Sequence, residues 1–135
     1  MPRYLFLKHY RTGQTPHPNA ADRWTPQEIS DHMAFMDAMI EDLKANGQFV
    51  GAEALSPRGT FVRYGGEGKP PVTDGPFAET KDLIAGWMAV DVESEEEAYA
   101  KAAYLSSAPG YGGRPLYEWI EVRPFLSEAD TPDLG

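Results

Sequence analysis

The alternation of apolar and polar residues predicts six β-strands, one of them very short. The first is the most informative, because both of its faces carry apolar groups: Tyr4, Phe6, Lys8 and Tyr10 on one face, and Leu5, Leu7 and His9 on the other. A strand of this kind needs cover on two sides. The six predicted strands span residues 4–10, 48–54, 60–64, 72–73, 84–92 and 116–123.

Two helices are predicted from their start signals. Thr25, Pro26 and Glu28 form an N-cap, a proline at the first helical position and the acidic end of a capping box, and the helix should run to Asn46-Gly47. A second capping box, Ser94 to Glu97, opens an alanine-rich helix that ends near Ser107. The first helix is expected to turn one apolar stripe toward the core: Ile29, Met33, Met36, Ile40 and Leu43.

This order of elements favours an α+β sandwich in which both helices cover one face of an antiparallel sheet. The opposite face is then expected to expose a large aromatic patch. A second copy packed sheet to sheet would cover that patch, which predicts a homodimer with a pocket at the rim of its interface. The predicted patch consists of Tyr4, Phe6, Trp87, Tyr117 and Trp119.

Length and composition narrow the class of protein. The 135 residues predict one domain over residues 1–126 and a loose polar tail over 127–135. The net charge of −9 argues against a nucleic-acid partner, and the absence of cysteine excludes disulfides and thiolate zinc sites. The apolar run at the N-terminus is too short for a signal peptide or a membrane span, so we expect a cytoplasmic protein without a membrane partner. No nucleotide, nicotinamide or serine-hydrolase fingerprint is present, and we expect no cofactor.

One stretch, Val72 to Asp82, is not explained by composition. It reads Val-Thr-Asp-Gly-Pro-Phe-Ala-Glu-Thr-Lys-Asp, a tight turn followed by the aromatic Phe77 and then by charged residues. A plain interpretation is a loop that is pinned by Phe77 and followed by solvated charges. The functional interpretation makes Asp74 a general base or the group that orients a histidine; its structural alternative is to cap its own turn.

This stretch closely resembles the signature of the YCII-related family, in the branch with the DGPFAETKE motif. The opening strand Tyr4 to Leu7 and the ending Tyr117 to Phe125 resemble that family as well, and the match covers residues 3 to 125. The segment Thr12 to Trp24 is longer than is usual in that branch, and Lys81-Asp82 replaces the usual Lys-Glu.

The resemblance implies a ferredoxin-like βαββαβ subunit that pairs into a dimeric α/β barrel. It also implies a small-molecule protein: a His–Asp pair is suspected in the wider family, isomerase and lyase activities occur on related barrels, and members of this branch are often associated with extracytoplasmic-function sigma factors.

Eight residues are therefore candidates for a site. Asp74, His32 and His9 are the catalytic candidates, although a histidine on a helix or strand face is more often a packed residue than a base. The histidines lack the spacing of metal ligands, so we expect no metal. Arg63 could bind a carboxylate, with a surface ion pair as the simpler role. The remaining ligand-binding candidates are Phe77, Glu79, Lys81 and Tyr111.

Two functional hypotheses remain open. One is a cofactor-independent isomerase or lyase that acts on a small acidic or aromatic-derived metabolite by acid/base chemistry. The other is a non-catalytic ligand-binding or regulatory dimer, which could work beside a sigma factor. A purely structural motif, which would hold only a turn, is the third alternative.

Overall fold

The computed structural model describes residues 1–10, 24–56, 59–74 and 83–127. Within them, four strands form an antiparallel sheet in the order β2-β5-β1-β6, and β3 and β4 form a separate two-stranded sheet. Without that hairpin the order is βαββαβ, so the predicted α+β, ferredoxin-like fold is confirmed. The elements are β1 (Arg3–Tyr10), α1 (Pro26–Ala45), β2 (Phe49–Ala54), β3 (Phe61–Arg63), β4 (Val72–Asp74), β5 (Leu83–Asp91), α2 (Glu95–Ser106), a 3₁₀ turn (Tyr111–Gly113) and β6 (Ile120–Pro124).

The core lies between the sheet and both helices. Phe6 and Val90 from the sheet, Leu43 from α1 and Leu105 from α2 are each at most 2% exposed and belong to one cluster. Full burial of a side chain of this size stabilises a fold by about 1.5–3 kcal/mol. Both helices therefore cover the same face of the sheet, as predicted.

The prediction for β1 assigned the wrong residues to the uncovered face. Tyr4 and Phe6 are 8% and 1% exposed and lie beneath the helices. Because both faces of β1 are apolar, alternation alone does not say which face the helices cover. The face away from the helices, which we call the free face, carries Leu7 and its neighbour on β5, Trp87.

The side chains on the free face are less exposed to solvent than predicted. Leu7 and Ala89 are 6% and 2% exposed although they lie outside the helix-covered core cluster. The Trp87 ring lies across Gly51 of β2, where an added Cβ would be 3.1 Å from Trp87 Cη2. A side chain at position 51 would therefore require the Trp87 ring to shift by a few tenths of an ångström.

The two strongly exposed residues of the predicted aromatic patch lie just before β6. Tyr117 and Trp119 are 74% and 85% exposed. The predicted last strand began at Leu116, whereas β6 begins at Ile120, and Tyr117 has a φ of 49° that no regular strand contains. The aromatic surface is thus shifted from the middle of the sheet to its β6 edge.

Helix α1 starts as predicted, with a complete capping box between Thr25 and Glu28. Its predicted apolar stripe is correct only in its second half: Leu43 is buried, whereas Ile29 and Met33 are 44% and 52% exposed. Met39 is buried beside Leu43, and the half-buried His32 occupies this face nearer the N-terminus. The first half of α1 therefore turns a histidine toward the interior, with consequences for the site.

Candidate functional site

A charged residue ends the helix-covered side of β1. Lys8 follows Tyr4 and Phe6 on that side, and its Nζ lies 2.9 Å from Glu118 Oε1. The two side chains are only 19% and 33% exposed. The buried Glu118 oxygen makes no aligned hydrogen bond within the described part of the chain, so the contact is mainly electrostatic. A partly buried ion pair therefore lies at this end of the core.

His32, on α1, lies in the field of the same pair. Its Nδ1 is 2.9 Å from the carbonyl oxygen of Pro109, and a carbonyl can only accept, so Nδ1 carries the hydrogen. Burial lowers the pKa of His32, with a smaller contribution from the charge of Lys8, while the Pro109 bond and Glu118 act in the opposite direction. At neutral pH the imidazole is thus uncharged, and Nε2 carries the lone pair.

Trp24 packs against His32 with the edge-to-face geometry that aromatic rings favour. The ring centroids are 5.1 Å apart and the planes are inclined by 60°. Gly110 makes room for this arrangement, since an added Cβ would be 2.9 Å from Trp24 Cζ2 and 2.4 Å from Leu116 Cδ2. Any larger residue at position 110 would displace one of these side chains.

The glycine-rich loop around the 3₁₀ turn is held against the start of α1. Glu28 completes the capping box and also accepts a hydrogen bond from the backbone N–H of Gly112. The backbone N–H groups of Thr25 and Gly112 lower the pKa of Glu28. One turn further along α1, His32 binds the Pro109 carbonyl, so two side chains of one helix hold this loop.

Tyr111, a predicted ligand-binding residue, lies in this loop and is 42% exposed. The Arg114 guanidinium lies 5.6 Å from the centre of its ring, a cation–π contact. The structure thus places Tyr111 in the loop that contacts His32 through Pro109.

His9, the other histidine candidate, lies on the opposite face of the sheet. Its Nε2 is 2.7 Å from Glu121 Oε1, and Glu121 faces away from the core because Ile120 and Val122 pack into it. His9 Nδ1 is buried and has no hydrogen-bond partner in the described residues. The two histidines therefore cannot serve one small site within a single chain.

Asp74 and Arg63 lie at opposite ends of the β3–β4 hairpin, where Asp74 is paired with Phe61 and Arg63 with Val72. Both are exposed, and no hydrogen bond or ion pair joins Asp74 to either described histidine. A catalytic role for Asp74 stays a prediction. The candidates that follow it in the motif lie outside the described residues: Phe77, Glu79 and Lys81.

Comparison with known protein families identifies one family. The model of the YCII-related domain matches residues 3–125. The chain belongs to the YCII-related family. A search of curated proteins finds no match. The narrower DGPFAETKE branch stays a prediction.

Two residues of this YCII-related site, Lys8 and Glu118, were missed as candidates although the sequence contained a signal for them. Lys8 follows two large aromatic residues at the spacing of one strand face, and Glu118 precedes Ile120 by the same spacing. A charged residue at an inward position needs a partner. The pairing of His32 with Pro109 had no such signal, because these residues are 77 positions apart and one lies in a loop.

Within the described residues of this YCII-related chain, no group of three or more metal-ligating side chains comes together. In the same part of the chain, no helix combines the length and the apolar character that crossing a membrane requires.

Proposed function

We propose that this YCII-related chain binds a small anionic metabolite beside α1 and moves a proton on it, with His32 as the general base. The observation that carries the proposal is the anchored imidazole. The Pro109 carbonyl fixes the hydrogen on Nδ1, and burial lowers the pKa of His32, so Nε2 is an available proton acceptor at neutral pH. A solvent-exposed histidine without such an anchor would have neither a fixed tautomer nor a lowered pKa.

Lys8 supplies the positive charge that the substrate requires. A carboxylate or lactone carbonyl of the substrate would share the Lys8 ammonium with Glu118, which already lies 2.9 Å from it. When Nε2 of His32 removes a proton from the carbon next to that group, the electron pair moves onto the oxygen, where the ammonium stabilises the charge. Return of the proton to another carbon gives isomerisation, and loss of a leaving group gives elimination. Neither step needs a cofactor.

Three further predictions belong to this proposal. Asp74 would act as the partner of a catalytic histidine, and two copies of the chain would pair through the free face of the sheet. Association with a sigma factor stays a prediction from the family resemblance.

Hydrogen–deuterium exchange tests the chemistry while the substrate is still unidentified. The protein is incubated in D₂O with a panel of small lactones, oxo acids and phenolic acids, and loss of carbon-bound proton signals is followed by NMR. We expect exchange into at least one compound with the unmodified chain, and at least a hundredfold slower exchange with His32→Gln, which lacks the base. Met33→Gln is the matched control, since Met33 is the next residue on α1 and is 52% exposed. Asp74→Ala shows in the same assay whether Asp74 takes part.

A thermal-shift screen with the same panel separates catalysis from binding. A ligand at 100 times its dissociation constant stabilises a protein by about 2.7 kcal/mol, which is easily seen. One result would favour the non-catalytic ligand-binding alternative over an enzyme: a compound stabilises the unmodified chain but not Lys8→Met, and no compound of the panel exchanges its protons. Exchange that persists in His32→Gln would contradict the role given to His32.

A further inference from the structure

A groove of about 330 Å³ lies between α2 and the segment that leads into β6. Its lining includes three aromatic side chains, Tyr99 from α2 and Tyr117 and Trp119 from that segment, and they are 53%, 74% and 85% exposed. Exposed ring faces are costly to leave in water, and the volume is at the lower end of the range that small-molecule sites occupy. The groove therefore has room for a compound of one or two rings.

The segment that carries Tyr117 and Trp119 is fixed by hydrogen bonds to α2 although both rings are exposed. The Tyr117 N–H donates to the Ser106 carbonyl at 2.8 Å, and Ser106 Oγ donates to the Glu118 carbonyl at 2.7 Å. Between these bonds Tyr117 has a φ of 49°, a left-handed conformation that is uncommon for an aromatic residue and costs free energy. Residues held in such conformations are concentrated at ligand sites. A wall that is already fixed also lowers the entropy cost of binding a ligand.

The charges around the groove favour a positively charged ligand. The π faces of tyrosine and tryptophan attract cations. Ala103 and Ser106 place the last turn of α2 in the lining, where the helix dipole contributes negative partial charge, and that turn contains no basic residue. None of the described residues in the lining is positively charged, and the carboxylate of Glu118 is already paired with Lys8. The attraction thus comes from the rings and the helix end, within a chain of net charge −9.

We propose that this groove binds a flat heteroaromatic cation of one or two rings, which stacks on Trp119 and Tyr117 and directs its charge toward the C-terminal end of α2. A planar ligand suits these walls, because offset stacking and edge-to-face contacts between rings are favourable. The rings and the helix end disfavour a negatively charged metabolite, which we expect beside Lys8 instead. The groove is therefore a second binding site, and the inference is independent of the proposed chemistry at His32.

Three compounds of similar shape and different charge test the ligand class. At neutral pH, N-methylquinolinium is positive, quinoline is neutral and quinoline-6-carboxylate is negative. In a ligand-observed NMR titration of the full chain, N-methylquinolinium should bind saturably and at least tenfold more tightly than the carboxylate, with quinoline between them. Trp119→Leu should weaken binding of the cation at least tenfold. Tyr64→Leu is the matched control and should leave binding unchanged, since Tyr64 is 81% exposed and lies outside the groove.

A pair of isosteric changes at Ala103 tests where the charge of the ligand lies. Ala103 is exposed and lines the groove, and glutamate and glutamine are both good helix formers. Ala103→Glu should bind N-methylquinolinium at least threefold more tightly than Ala103→Gln, because the two side chains have the same shape and differ by one negative charge. Circular dichroism identifies any variant that fails to fold.

Several results would overturn the proposal. Equal affinity for the cation and the carboxylate would show that charge does not select the ligand, and unchanged binding in Trp119→Leu would place the cation elsewhere. Equal affinities of Ala103→Glu and Ala103→Gln would separate the charge from the end of α2. Absence of saturable binding also overturns the proposal. If sedimentation velocity then shows self-association that Trp119→Leu abolishes, a second copy of the chain occupies the groove instead of a small molecule.

Discussion

The ion pair between Lys8 and Glu118 gives the sharpest test of the site. The changes are Lys8→Met, Glu118→Gln and the two together, which remove one charge, the other, or both with little change in side-chain volume. With the side chains 19% and 33% exposed, the pair lies between a surface ion pair, worth about 0–1 kcal/mol, and a buried one, whose disruption costs about 3–5 kcal/mol. Each single change should therefore lower the free energy of unfolding by about 1–3 kcal/mol. The coupling between them should be about 1–2 kcal/mol.

Urea denaturation at pH 7 measures all four proteins of this cycle. Glu118→Gln should be the more costly single change, because it leaves the less exposed partner, the Lys8 ammonium, unpaired. The matched control is the pair Lys44 and Glu41, whose charged atoms are 3.7 Å apart and whose side chains are 55% and 75% exposed. Its coupling should not exceed about 0.5 kcal/mol. Additive effects of Lys8→Met and Glu118→Gln, within about 0.3 kcal/mol, would refute the half-buried pair.

The same two changes should move the pKa of His32 in opposite directions. The charge of Lys8 lowers that pKa and the charge of Glu118 raises it. Lys8→Met should therefore raise the pKa of His32, and Glu118→Gln should lower it further, in an NMR titration of the imidazole. A shift of the same sign in both variants would mean that His32 does not sense the pair.

Two other predictions concern stability. Because burial lowers the pKa of His32 in the folded chain, the unfolded chain binds more protons than the folded chain below about pH 6.5. The contribution of His32 to the free energy of unfolding should therefore stay level above that pH and fall on acidification, by at most about 1.4 kcal/mol per pH unit. The fall should be smaller in His32→Gln, and an equal fall in that variant would contradict the reasoning. Gly110→Ala should lower the free energy of unfolding by about 1–3 kcal/mol and alter Trp24 fluorescence, because the new Cβ would overlap Leu116 and Trp24. Unchanged stability and unchanged emission would show that the loop can accommodate the added methyl group.

The positions of the helices and strands were predicted more accurately from the sequence than the residues that each element turns toward the core. Alternation and capping signals located the strands and both helices within a few residues, because these signals are local. The apolar stripe of α1 was wrong at one end for a geometric reason. Alternating spacings of three and four average 3.5 residues per turn, and an ideal helix drifts by about 20° per heptad from that repeat. Over the two heptads from Leu43 back to Ile29 the stripe turns away from the core, and His32 takes its place.

The site was only partly predictable. His32 and Tyr111 were candidates, and they lie on two segments that contact each other. Lys8 and Glu118 could have been found from the alternation of β1 and β6. The contacts that bring these groups together depend on where a glycine-rich loop crosses the start of α1, and a long-range position of that kind has no periodic signal in a single sequence.

The way this loop is held links helix capping to the proposed chemistry. Glu28 binds the backbone of Gly112, and His32, four residues later on the same side of α1, binds the backbone of Pro109. The first contact fixes the loop and the second uses the fixed carbonyl to choose the tautomer of the imidazole. A substitution that shifts the loop would therefore act on the reaction even though it touches neither substrate nor base, because it would release the hydrogen from Nδ1 and leave Nε2 protonated in part of the molecules.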